Sequence, residues 1–176
     1  MNLKNKIEAN TQLFLSEFAG LDHNLLKQKA AADKWCIEEH LEHLIIINQS
    51  YFDVFESMLN NTYKPHFFSK IPGLAGWFGK TIYKAMNPDG TKKIKTFPVW
   101  EPSEKIVNTN LAERFLISQN KLKEYADKME PFIANNSILS SPGKRFVVYS
   151  TGMAFEIILI HQLRHFEHCR EIIKAN

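Results

Sequence analysis

The chain has 176 residues, 44% of them apolar, with 22 basic and 19 acidic side chains. That length can bury a real core within one domain, residues 1–176, and the apolar content excludes a disordered chain. The net charge of +3 is spread along the sequence, which argues against a nucleic-acid or acidic-membrane partner.

The stretch "MNLKNKIEANTQ" has no apolar leader run, and "LIII" at 44–47 is too short to span a bilayer. Two cysteines, Cys36 and Cys169, give no disulfide framework and suit a reducing compartment. The expectation is a soluble, cytoplasmic protein.

Four long segments carry a helical period. The first runs from about Leu3 to Lys29, with Ile7, Leu13, Leu15, Phe18, Leu21, Leu25 and Leu26 as apolar positions and a break or bend at Gly20 and "LDHN". The second covers about Cys36 to Asn60, and its stripe is Ile37, Leu41, Leu44, Asn48, Tyr51, Phe55 and Met58. A third follows "PSEK", with Ser103 as N-cap, and continues to about Met129 before Pro131. Its core candidates are Ile106, Leu111, Phe115, Leu122 and Tyr125. The fourth starts near Ser150 or Thr151 and reaches Ile173.

About forty residues of different texture join the second and third segments. "KPHFFSKIPGLAGWFGKTIYKAMNPDGTKKIKTFPVWEP" holds five of the seven prolines and four of the seven glycines. Long connections inside compact domains are uncommon and often functional. A short helix is expected near Trp77–Met86 and an extended stretch around Lys92–Val99, with "KKIK" at 92–95 read as a solvated loop face. Between the third and fourth segments, "RFVVY" has strand character, but one short apolar run without a partner is weak support for a sheet. Four helices with one long connection predict an all-α four-helix bundle.

The last helix raises a chemical question, because "HQLRHFEHCRE" puts His161, His165 and His168 directly after the apolar run "MAFEIILI". At 100° per residue the three fall within an arc of about 60°. Ala154, Ile157, Ile158 and Ile172 share that arc, so the imidazoles face inward with the core. One such histidine is usually a hydrogen-bonded core residue. Several stacked at i, i+4 and i+7 lose solvation when neutral and repel when charged. A divalent metal resolves both problems. A further supply lies in "KWCIEEHLEHL", where His40 and His43 are one turn apart. Periodicity slightly favours His40, and spacing alone leaves that ligand open.

"W-C-I-E-E-H-L-E-H-L" resembles the W-S-x-x-E-x-L-x-H-L stretch of the DinB-like (DinB/YfiT-type) superfamily, and "H-Q-L-R-H-F-E-H" resembles its closing H-x-x-x-H segment. The order of elements agrees over nearly the whole chain, including the long connection after the second helix. Carried over residue by residue, the resemblance implies a divalent metal, with zinc, nickel and iron as candidates, held by His43, His161 and His165. Cys36 stands where the family usually has serine. Serine with Glu39 would form a capping box, so the cysteine implies a frayed helix start. His168 is outside the usual triad, and Trp35, which matches the family's tryptophan, is read as packing where the helix begins.

Three histidines leave coordination positions open, the arrangement of a catalytic metal. Such a site activates water or a thiolate. The resemblance points to thiol transferases and isomerases that use a low-molecular-weight thiol cosubstrate, and to metal-dependent hydrolases, acting on a small-molecule substrate. The competing class is a non-enzymatic dimeric metal-binding or interaction bundle. Neither the paired Glu-x-x-His motifs of a di-iron centre nor His-Glu-x-x-His is present. No Ser-His-Asp set or G-x-S-x-G elbow occurs either. Glu39, Glu42 and Glu167 are the general-base candidates, both cysteines are read as structural, and the aromatic load of "PHFFSKIPGLAGWF" suggests a homodimer.

Overall fold

The computed structural model describes residues 2–88, 96–102 and 110–175. Helices dominate them: α1 (Leu3–Phe18), α2 (His23–Leu26), α3 (Ile37–Leu59), α4 (Leu74–Ala85), α5 (Leu111–Lys128), α6 (Glu130–Ala134) and α7 (Thr151–Lys174). Two strands, β1 (Ile138–Ser141) and β2 (Lys144–Ser150), form an antiparallel hairpin with Leu139 opposite Tyr149 and Ser140 opposite Val148. None of the described helices is long and apolar enough to cross a membrane. The "KKIK" stretch, Ser103 and Ile106 lie outside the described residues.

Side-chain chemistry sets the helix ends. Asn2 caps α1 by accepting the Asn5 N–H at 2.9 Å, and Asp22 caps α2 through Asn24. Ser150 ends β2 and caps α7, its Oγ accepting the Met153 N–H at 3.2 Å. The start of α3 is held, contrary to the expected fraying: Glu39 reaches back to accept the Cys36 N–H at 2.7 Å and also pairs with Lys29. Asn110 is non-helical, and α5 begins at Leu111. Glu113 then sits in its first turn, where a negative charge suits the helix dipole.

The four long helices pack in pairs, α3 against α5 and α7, and α1 against the same two. Every member of the expected α3 stripe is buried. On α1 the buried face is Ile7, Asn10, Thr11, Phe14 and Phe18, while Leu13 is 40% exposed. The polar members of that face hid Phe14's place on it. At one end, Phe14, Phe18, Phe115 and Phe166 pack ring on ring with centroids 4.9–5.6 Å apart. At the other, Phe55, Tyr125 and Phe155 do the same.

A buried polar layer lies between these apolar ends. Asn10 donates to Gln162 Oε1, Gln162 to Gln119 Oε1, Gln119 to Thr11 Oγ1, and Asn48 to both Ser118 Oγ and Gln119 Oε1, all within 2.9–3.2 Å. The layer draws on all four long helices, so sliding any one would strand buried amides at a cost of about 1–3 kcal/mol each. It therefore fixes their register, and with it the heights at which α3 and α7 present their histidines.

The connecting segments pack around this core. The expected short helix is α4, which lies against β2 and α7. "RFVVY" is a strand after all, because Ile138–Ser141, half of it serine, supplies the partner. Val99, expected in an extended stretch, sits in a 3₁₀ turn, Pro98–Trp100, packed on α3.

Candidate metal centre

α3 and α7 bring five imidazoles together. His40 and His43 are one turn apart on the inner face of α3, and both are buried. On α7, His165 is buried while His161 and His168 are partly exposed. His43, His161 and His165 each place one donor nitrogen within 4.8 Å of the other two. His40, His165 and His168 do the same, so the competing ligand candidates on α3 serve two different sets.

A hydrogen bond fixes the protonation of His43 in the first set. His43 Nδ1 lies 2.7 Å from the Trp100 carbonyl oxygen. A carbonyl can only accept, so Nδ1 carries the proton and Nε2 keeps its lone pair. That Nε2 is fully buried and has no hydrogen-bond partner among the described residues. A buried lone pair without a donor is costly, and a cation held jointly with His161 and His165 would satisfy it. His161 Nε2 and His165 Nε2 are 2.9 Å apart, facing each other across the same spot. The donor set fits a divalent transition metal, since neutral imidazole nitrogen is a good ligand for zinc, nickel and iron.

The electrostatics keep these rings neutral. Burial, together with His168 and His43 nearby, pushes His40 down to about 3. Burial likewise lowers His43 to about 4, with the Trp100 carbonyl working weakly the other way. His161 and His165 are held well below the usual histidine range by burial first, then by the surrounding imidazoles, with Arg164 adding to the effect on His161. His168 is lowered for the same leading reason. At neutral pH each ring of the cluster is thus neutral, with one N–H and one lone pair, so each can offer a nitrogen to a cation without first shedding positive charge.

Trp35 does more than pack where α3 begins. Its ring lies against His40, His43 and His165, with centroids 5.5, 4.9 and 6.1 Å away, and walls one side of the cluster. The three candidate bases are committed elsewhere: Glu39 to Lys29 and the Cys36 N–H, Glu42 to Arg114, and Glu167 to Arg170. Both cysteines are free and buried, and burial pushes Cys36 up to about 11 and Cys169 higher still, so neither is a ready thiolate.

Sequence reasoning missed Trp100. Its contribution is a backbone carbonyl, which no side-chain motif encodes, and it comes from the connection some forty residues beyond α3. The double use of His165 was also invisible, because helical spacing gives the face of a ring but not the direction of each nitrogen. No protein-family model, curated protein or solved structure matches this chain.

Proposed function

We propose that this chain is a DinB-like four-helix bundle whose His43, His161 and His165 hold one divalent metal, and that it is a metal-dependent enzyme of the thiol-transferase type. The observation carrying the metal reading is the buried Nε2 of His43, without a hydrogen-bond partner among the described residues, locked in its lone-pair tautomer and converging with two imidazoles of α7. Bound there, zinc, nickel or iron would supply Lewis-acid activation of a thiol or of water.

The chain's own residues do the rest. Three protein ligands leave positions open for a small-molecule substrate or a low-molecular-weight thiol. Trp35 and the apolar faces of α3 and α7 exclude bulk water on the inner side, while the partly exposed His161 and His168 mark the approach from solvent. Trp100 holds the His43 ring in place, so a ligand nitrogen does not rotate away between turnovers. Thiol transfer is placed ahead of hydrolysis by the sequence resemblance.

A homodimer belongs to the same reading. Phe67 and Trp77 are 64% and 60% exposed on the segment that follows α3, an apolar surface suited to a second copy.

The test begins with metal analysis of untagged protein purified without a nickel column, where one firmly held divalent ion per chain at the His43 set is expected. Metal-free and reconstituted protein are then assayed with a thiol and an electrophile such as a haloarene or epoxide, beside a hydrolase panel. Activity that survives complete metal removal, or that persists in His161→Ala/His165→Ala, sinks the mechanism.

A further inference from the structure

The imidazoles outside the His43 set form a second set of their own. His40 on α3 and His165 and His168 on α7 bring one donor atom each within 4.8 Å of one another. His165 belongs to both sets, and its two nitrogens point to different partners. Nε2 is 2.9 Å from His161 Nε2, whereas Nδ1 is 2.7 Å from His40 Nδ1. The His40 ring in turn packs edge-on against His168, with centroids 5.6 Å apart.

A ligand histidine is ordinarily steadied by a carboxylate, a carbonyl or water on its outer nitrogen. His43 follows that rule through Trp100. His165 departs from it, since its outer nitrogen meets another imidazole backed by a third. Imidazole is a poor choice for mere support, because two facing nitrogens share one proton and either ring can lose it. It is a good choice for coordination. The second set also opens outward: His168 is only partly buried, which gives an ion a route to it without passing through the first set.

From this geometry we propose a second divalent-cation site, His40/His165/His168, that shares the His165 ring with the His43/His161/His165 set. One ion is held on His165 Nε2 and the other on its Nδ1, so the ring bridges the two. The second ion takes the place of the Nδ1 proton, which passes to solvent, one proton for each second ion bound. The ligand class is a borderline cation that accepts imidazole nitrogen, namely zinc, copper(II) or nickel. The inference rests on the proposed metal centre only through the shared His165, and the variants below separate the two.

Chelator-stripped, untagged protein is titrated with zinc and with copper(II), and bound metal is counted by native mass spectrometry. Wild-type chain is expected to take up two ions. His40→Gln/His168→Gln keeps only the first set and should hold one, and His43→Gln/His161→Gln keeps only the second and should also hold one. His165→Gln removes a ligand from both and should weaken each by about ten-fold or more. Circular dichroism confirms that each variant is folded. With two copper(II) ions bound, the shared ring should couple their spins, leaving a paramagnetic resonance signal well below that of two isolated ions. Saturation of wild-type protein at one ion, with His40→Gln/His168→Gln unchanged, overturns the second site and leaves the first standing. One ion in His43→Gln/His161→Gln and none in His40→Gln/His168→Gln upholds the second site and rejects the first. Two ions with a fully additive copper signal reject the bridge.

Discussion

Acid should destabilise the metal-free protein well above the pH at which carboxylates titrate. In the fold His40 is held down to about 3 and His43 to about 4, against an ordinary value of 6.5. Both are therefore neutral in the folded chain at pH 5 but protonated in the unfolded one. Because the folded values are depressed, stability is fully present above about pH 6.5 and falls as pH drops through the window from 6.5 to about 4 for His43 and about 3 for His40. At pH 5 the unfolded chain is favoured by about 1.5 pH units per ring, or about 2 kcal/mol each and about 4 kcal/mol for the pair. His161 and His165 add in the same direction. Against typical stabilities of about 5–15 kcal/mol, the loss is large. Urea unfolding of chelator-treated protein at pH 7.5 and pH 5.0 measures it. With a urea slope of about 2 kcal/mol per molar, the midpoint should fall by about 2 M or more. His40→Gln keeps a hydrogen-bonding group beside His165 but cannot titrate, so it should remove about 2 kcal/mol of this dependence. An unchanged wild-type midpoint across that range would refute the reasoning, since it would mean that the cluster accepts protons in the folded state without penalty.

Other consequences follow from single contacts. Gly143→Ala would bring a Cβ within 2.7 Å of the Trp100 ring and 2.8 Å of Phe97, so the turn holding His43 must move; zinc affinity at the His43 set, measured by competition with a chelator, should fall about ten-fold. Tyr149→Phe removes the partner of the buried Tyr51 hydroxyl, 2.5 Å away, and should cost about 1–3 kcal/mol in urea unfolding. The Tyr51→Phe/Tyr149→Phe pair should cost less than the sum of the single changes. Despite a sequence pI near 8.8, no specific nucleic-acid binding is expected, and a gel-shift affinity tighter than about micromolar at physiological salt would contradict this.

The mostly helical architecture was legible because α3 and α7 repeat apolar residues every three or four positions over more than twenty residues. Cap chemistry was legible where one side chain sets the boundary, as Ser150 does for α7. At α5 it gave no such guide: the helix starts at Leu111 behind a non-helical Asn110, a position the sequence reading had not singled out. The hairpin was discounted because Ile138–Ser141 is too serine-rich to announce itself, and a strand is recognised only with its partner. For the site, spacing alone put His161, His165 and His168 on one face and left His40 and His43 undecided. The indecision was physically apt, since the two rings stand one turn apart against different edges of His165.

Helical spacing fixes where each imidazole sits, but the partner of its outer nitrogen fixes which way the lone pair faces. For His43 that partner is the Trp100 carbonyl, and Trp100 is itself held by its indole N–H on Ser50 Oγ at 3.1 Å and by Gly143 under its ring. The long connection after α3 and the hairpin before α7 therefore belong to the site: one delivers the carbonyl, and the other leaves room for the ring that positions it. His165 has no such anchor. Its outer nitrogen rests on His40, a group that can give or take the shared proton. The two rings are thus held differently, His43 as a locked neutral donor and His165 as the adaptable one. His165 is the imidazole shared by both sets, so a proton or ion gained at one of its nitrogens changes the basicity of the other.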